Sequence, residues 1–146
     1  MTLRQFLAAH EGVMKAQQIY ADSLPEWVRM WMTWMGIVFA SAVLFAIWKD
    51  EARVVLVSVL LSLLASYWIG YFLGWNRLWG LAHVIFWTPA LYWLVRWWPT
   101  MQFRPRIGGK VRELTPVFRA WGAVTIATMA VSLVFDYIDV VRFFAG

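Results

Sequence analysis

The stretch that decides the fold lies at residues 115–144 and has the sequence TPVFRAWGAVTIATMAVSLVFDYIDVVRFF. It is long and apolar enough for a membrane-spanning helix, which needs about 20 residues. Near its end it carries two acidic residues, Asp136 and Asp139. A carboxylate inside a bilayer is costly unless other parts of the protein compensate it. The remaining chain is therefore expected to supply groups that compensate these two carboxylates.

The composition of the whole chain is also typical of a membrane protein. Its 146 residues are 62% hydrophobic and 14% charged, whereas soluble domains are usually about one quarter charged. A soluble chain of this length could not bury so much apolar surface in its core. The chain has no cysteine, which excludes disulfides, thiolate metal ligands and cysteine nucleophiles.

The apolar segments predict an all-α membrane protein with four transmembrane helices in an up-and-down bundle, residues 23–146. A basic loop is expected at residues 99–115, before the last helix. The first 22 residues predict an amphipathic helix in the membrane interface, because their apolar and polar side chains separate onto two stripes. Thr2 and Gln5 form a candidate capping box at its start. The predicted spans are residues 27–48, 54–73, 78–98 and 117–141.

The second predicted span contains a small residue at every fourth position. Such a row forms a smooth ridge along one helix face, against which another helix can pack closely. The alternative is that serine and glycine are simply common in membrane helices. Five of them in register favour a packing face, whose partner lies in this chain or in another copy. The ridge consists of Ser58, Ser62, Ser66, Gly70 and Gly74.

A polar cluster is predicted where the third and fourth spans meet one membrane face. His83 lies six residues inside Arg77, and Asp136 lies six residues inside Arg142. Both side chains are therefore about 9 Å from their rim at the rise of an α-helix. An ionisable group at that depth is a functional candidate, and histidine is the ordinary proton-exchanging side chain near neutral pH. The cluster comprises His83, Asp136, Asp139, Arg29, Arg77, Asn76 and Arg142.

Three hydroxyl residues extend the acidic face of the last span toward its middle. Thr125, Thr128 and Ser132 continue the three- or four-residue spacing of the two aspartates, so that all share one face. They are a candidate path lining for an ion or a proton, although such hydroxyls also bond to the carbonyl four residues earlier. One histidine and two carboxylates without a compact motif are a weak metal signal. No metal or other cofactor is predicted.

The distribution of basic residues predicts the orientation in the membrane. Five of the 13 Lys and Arg residues fall on the side of the termini and the other eight on the opposite side. Basic loops stay in the cytoplasm, so the termini are expected outside, in a bacterial inner membrane. The basic loop is expected to contact anionic lipid headgroups rather than nucleic acid.

Three functions are compatible with this pattern. The favoured one is a homo-oligomeric channel or transporter for an ion, a proton or a small solute, which uses the His/Asp/Arg cluster. The second is a non-catalytic subunit that assembles with a larger membrane complex through the ridge. The third, a small membrane enzyme acting on a lipid or quinone, is least favoured, because the chain has no Walker loop, dinucleotide fingerprint, HExxH motif or nucleophile elbow.

Overall fold

The computed structural model describes residues 2–146, which are mostly α-helical. Four helical segments are long and apolar enough to cross a membrane, which confirms the prediction of a helical bundle built on four such helices. A 3₁₀ turn, Arg77–Trp79, precedes α5, and another, Trp98–Thr100, follows it. The α-helices are α1 Leu3–Ser23, α2 Glu26–Ala40, α3 Val43–Ala46, α4 Asp50–Leu73, α5 Gly80–Trp97 and α6 Thr115–Ala145.

The span predicted for residues 27–48 is present as the helical segment Glu26–Ala46, which has a local interruption between α2 and α3. The Ser41 hydroxyl donates a hydrogen bond to the Val38 carbonyl, a contact that bends helices. The amide groups of Ala42, Leu44 and Phe45 bond to carbonyls three residues earlier rather than four. The backbone therefore tightens at Ser41, and a short separate helix follows.

The helix predicted for residues 54–73 begins earlier, at Asp50. Its first turn contains Asp50 and Glu51, whose negative charge is favourable at a helix N-terminus. Arg53 connects this turn to the end of α3, since its guanidinium donates to Asp50 Oδ1 at 2.7 Å and to the Ala46 carbonyl at 2.7 Å. These charged residues, which precede the predicted span, thus form the first turn of α4.

Helix α1 lies across the end of α4. Its predicted capping box is present, with the Thr2 amide donating to Gln5 Oε1 at 2.8 Å and the Gln5 amide donating to Thr2 Oγ1 at 3.3 Å. His10 Nδ1 lies 3.0 Å from the Tyr67 hydroxyl of α4. The Trp75 indole donates to a backbone carbonyl of α1 at 3.1 Å. These contacts hold α1 beside the α4–α5 turn.

The ridge of small residues on α4 faces the interior of its own chain. Its first four members, Ser58 to Gly70, are buried. The Trp87 indole of α5 donates to Ser62 Oγ at 3.0 Å, and a Cβ atom at Gly70 would lie only 2.5 Å from the Trp75 ring. Gly74 is instead exposed and ends α4 with a φ of 73°. Of the two partners left open by the sequence, this chain or another copy, the buried part of the ridge packs within this chain.

Helix α5 is the centre of the bundle, because it packs most extensively against both α4 and α6. Helix α2 makes smaller interfaces with α4 and α6. This difference leaves space between α2 and the other three helices.

The loop at residues 99–115 is not a simple exposed basic connection. It contains a two-stranded antiparallel hairpin, β1 Arg106–Ile107 and β2 Lys110–Val111, which turns at its two glycines. Before the hairpin, Met101 and Phe103 are buried against the bundle. The Phe103 amide donates to Thr115 Oγ1 at 2.9 Å, which fixes this part of the loop to the start of α6.

Candidate functional site: a cavity with a His–Asp pair

His83 and Asp136, which the sequence places at matching depth on two helices, are in contact. His83 Nδ1 on α5 lies 3.0 Å from Asp136 Oδ2 on α6. The two side chains are 13% and 18% exposed, so water has only limited access to the pair. A hydrogen bond between an imidazole and a carboxylate fixes the ring orientation and selects one ring nitrogen for the carboxylate.

Gly80 provides the room for this pair. A Cβ atom at that position would lie 2.6 Å from Asp136 Oδ1 and 3.1 Å from Asp136 Cβ, well inside van der Waals contact. The absence of a side chain at Gly80 therefore lets α5 and α6 approach closely enough for His83 to reach the carboxylate.

The imidazole of His83 is also held by Trp87. The two rings stack with their centroids 4.1 Å apart and an angle of 19° between their planes. The Trp87 indole is itself fixed by its bond to Ser62. Among residues 2–146, the second ring nitrogen of His83, Nε2, has no hydrogen-bond partner. That nitrogen is left for a proton or a ligand.

His83 and Asp136 line a cavity of about 750 Å³ between α2, α4, α5 and α6. Its lining extends along α2 from Trp27 to Ala40, which corresponds to about 20 Å at the helical rise. Most of the wall is apolar, with many aromatic side chains. The volume and lining are typical of a site for a small organic molecule. The aromatic walls are Trp27, Trp31, Phe39, Trp79, Trp87 and Phe135.

Most residues of the predicted polar cluster line the polar end of the cavity. Asn76, Arg77, Asp139 and Arg142 line this end together with the His83–Asp136 pair. Among the described residues, no ion pair connects Asp139 to Arg142, although their spacing on α6 favours one. The two charges face the cavity as separate groups.

Arg29 is the one member of the predicted cluster that the structure places elsewhere. It is exposed on α2 and does not line the cavity. Its neighbours on α2, Trp27, Val28 and Trp31, line the cavity instead. Helical geometry explains this position, because Arg29 points away from the face of α2 that Val28 and Trp31 share.

The polar end is covered by the last turns of α1. Tyr20 and Leu24 line the cavity there. Burial is the largest cause that raises the pKa of the Tyr20 phenol above its ordinary value, and the nearby Asp139 carboxylate raises it further, while Arg77 lowers it. The phenol therefore stays uncharged near neutral pH and lies within electrostatic reach of both charged residues.

Two of the three candidate hydroxyl residues of α6, Thr128 and Ser132, accept hydrogen bonds from tryptophans of α2. The Trp34 indole donates to Thr128 Oγ1 at 3.1 Å, and the Trp31 indole donates to Ser132 Oγ at 3.2 Å. Of the candidate path residues, Ser132 lines the cavity, whereas Thr125 and Thr128 are buried outside its lining. The sequence contained a signal for this pairing, since an indole N–H group usually finds a hydrogen-bond acceptor and α6 supplies a row of hydroxyl groups.

The end of the bundle away from the His–Asp pair is closed by packed aromatic rings, here called the aromatic plug. Phe118 is fully buried at its centre, with its ring centroid 5.4 Å from that of Trp121 and 5.6 Å from that of Phe103. Phe103 comes from the basic loop, for which the sequence predicted contact with anionic lipid headgroups and no part in the interior of the bundle. The plug comprises Phe45, Trp48, Phe103, Phe118 and Trp121.

Within residues 2–146, no group of three or more His, Asp or Glu side chains is placed to hold a metal ion. Comparison with protein-family models, with curated proteins and with solved structures found no match to this chain. Function is therefore inferred below from the geometry of the cavity.

Proposed function

We propose that this chain is an integral membrane protein that carries a small solute across the bilayer and exchanges a proton at the His83–Asp136 pair. The observation that carries the proposal is the cavity itself, which has the pair at its polar end and the aromatic plug beyond its other end. A cavity of this kind accommodates a solute in the middle of the bundle while one route remains closed.

The surfaces of the helices support insertion into a membrane. In the most apolar window of each long helix, only 17% to 33% of the residues are buried, and large apolar side chains cover the outer faces. Soluble monomers rarely expose contiguous apolar surface of this extent. Lipid is the surrounding that makes such a surface favourable. Anionic headgroups are the proposed contact for the basic hairpin loop.

A bacterial inner membrane, with outside termini and a cytoplasmic hairpin loop, is the arrangement that the basic residues favour. Because the chain has no cysteine, single-cysteine variants report this arrangement directly. In intact cells stripped of an outer membrane, an impermeant maleimide is expected to label Gln18→Cys, while Gln102→Cys reacts only after permeabilisation. The reverse labelling would overturn the orientation, and labelling of both in intact cells would overturn the four-span topology.

A carrier fits the structure better than an open channel. A channel needs a continuous polar route, whereas the buried Phe118 and its neighbours occupy the end of the bundle opposite the pair. Two hydroxyl residues expected to continue the route, Thr125 and Thr128, lie in packed helix contacts. Carriers expose a central site to one side at a time by moving helices against each other. The smaller interfaces of α2 make it the candidate moving element.

Proton exchange is assigned to His83 because its surroundings are charged and its Nε2 atom is free of protein partners. Asp136 contacts it from α6, and the same cavity is lined by Asp139 and Arg142 of α6, Arg77 of the α4–α5 turn and Tyr20 of α1. With a neutral imidazole the two carboxylates balance the two guanidinium groups. Protonation of His83 adds one positive charge, so the preferred charge of the bound solute changes with the protonation state.

Proteoliposomes loaded with a pH-sensitive dye test this function. A panel of amino acids, amines, carboxylates and phenols is added outside, and at least one class is expected to change the internal pH only when protein is present. Asp136→Asn and His83→Phe are expected to reduce that rate by at least tenfold, the size of a typical lost proton-transfer role. The matched variants Asp22→Asn and His10→Phe, which change residues outside the cavity lining, should retain it.

Two results would contradict the proposal. One is the absence of any protein-dependent pH change with the whole panel. The other is a proton current that flows under a membrane potential with no solute added, because that result indicates a channel.

A further inference from the structure

We infer that the cavity takes an uncharged, membrane-soluble molecule with a hydroxylated aromatic ring, which enters sideways between α2 and α4. This inference rests on the proposed carrier function and names the class of its solute. Three observations carry it: where the cavity opens, how its charges balance, and what its walls and polar end offer a ligand.

The cavity opens on the side of the bundle as well as at the mouth. Its wall includes Leu60 and Leu63 of α4, which are 63% and 55% exposed on the outer surface. On the facing helix, Gly36 and Ala40 also line the cavity and are exposed. The gap between α2 and α4 therefore connects the cavity to the surface that faces hydrocarbon in the proposed membrane. A solute dissolved in lipid can use this gap without crossing the polar mouth.

Gly36 keeps this lateral opening wide. A Cβ atom at Gly36 would meet no other atom within 4 Å, which shows that the space beside it is empty rather than packed. At Gly80 and Gly70, by contrast, a Cβ atom would collide with a neighbouring side chain. A large side chain at Gly36 can thus fill the opening without disturbing the helix contacts.

The charges at the polar end favour a solute with no net charge. Asp136 and Asp139 are matched by Arg77 and Arg142, so the lining has a formal charge of zero when His83 is neutral. A charged head group would bring a charge into this low-dielectric site without a free counter-charge, which is costly. A hydroxyl group needs only hydrogen-bond partners.

His83 offers the acceptor for that hydroxyl. When Asp136 accepts the proton of Nδ1, the neutral imidazole presents Nε2 as an acceptor, and no protein group in the described part of the chain occupies it. The ring of Trp87 stacks on His83 and forms the adjacent part of the cavity wall. Aromatic walls favour a planar ring, which stacks on them. A phenol or a hydroquinone with an apolar substituent combines these properties.

Equilibrium dialysis of radiolabelled 4-hexylphenol against the protein in nanodiscs tests the inference, with empty nanodiscs as the blank for partitioning into lipid. Saturable binding is expected, and the methyl ether of the same phenol should bind about tenfold more weakly because it cannot donate a hydrogen bond. Hexyltrimethylammonium and hexanesulfonate, which carry a net charge, should not compete. Gly36→Phe should abolish saturable binding, whereas Gly12→Phe, at an equally open glycine on α1, should not.

A second pair of variants keeps the inference falsifiable if Gly36→Phe fails to fold. His83→Phe should weaken phenol binding about tenfold, while His83→Gln, which retains an acceptor, should restore part of it. Two results would overturn the proposed solute class without affecting the carrier function. One is equal binding of the phenol and its ether. The other is saturable binding of a charged probe, if Gly36→Phe abolishes that binding. Phenol binding without any proton exchange in proteoliposomes would instead leave this site standing and overturn the carrier.

Discussion

The Gly80→Val substitution is expected to destabilise the bundle by about 3 kcal/mol, the upper range for forcing extra atoms into a packed interface. The first added carbon alone would lie 2.6 Å from Asp136 Oδ1. Since the added carbon would collide with the carboxylate and with Asp136 Cβ, α5 and α6 must separate or Asp136 must turn away from His83. Either response breaks the His83–Asp136 pair. Reversible unfolding in mixed micelles measures the loss of stability.

Two further variants isolate the cause. Gly36→Val introduces the same side chain at a helical glycine with no atom within 4 Å, so it should retain nearly all the stability. Adding Asp136→Ala to Gly80→Val removes the obstructing carboxylate and should recover about half of the loss. If Gly80→Val and Gly36→Val were equally stable, the close approach of α5 and α6 at Gly80 would be refuted.

Phe118→Ala is expected to cost about 3–5 kcal/mol, because it removes the fully buried ring at the centre of the aromatic plug. That ring contacts Phe45, Phe103 and Trp121, with centroids 5.1–5.6 Å apart across the group. Its loss leaves a void next to the end of the bundle opposite the His–Asp pair. Thermal unfolding gives the stability, and dye-loaded proteoliposomes give the proton leak, which should rise.

Phe144→Ala is the matched control, since Phe144 near the end of α6 is 73% exposed. It should change neither stability nor leak appreciably. If the proton leak of Phe118→Ala equals that of the unmodified protein, the plug does not close the route. The argument for a carrier over a channel would then lose its support.

Much of the bundle follows from the sequence because apolar length and small-residue spacing are local properties. The four apolar segments predict helices that are present, and the row from Ser58 to Gly70 predicts the close packing of α4. The break at Ser41 was not predictable from hydrophobicity, because it depends on one hydroxyl bonding to the Val38 carbonyl. Whether the ridge faced this chain or another copy also depended on where Trp87 lies in space.

The sequence predicts how far each site residue lies from the end of its helix, but not which way its side chain points. Counting residues from the rim placed His83 beside Asp136 correctly, because both helices rise by the same amount per residue. The predicted cluster also included Arg29, which does not line the cavity, since its place near the start of the first span does not determine which way its side chain points. The cavity and the inward turn of Phe103 arise from how whole helices and the loop pack, and no short sequence pattern encodes that.

The central claim is that His83 exchanges a proton as a partner of Asp136. The chain has only two histidines, so ¹⁵N-histidine labelling in nanodiscs gives two imidazoles, which His10→Gln assigns. The account predicts that Nδ1 carries the proton of the neutral His83 imidazole, because it lies 3.0 Å from Asp136 Oδ2, and that Asp136→Asn changes the nitrogen shifts of His83 while leaving those of His10 unaffected. A His83 spectrum that is identical in Asp136→Asn across the pH range would contradict the account.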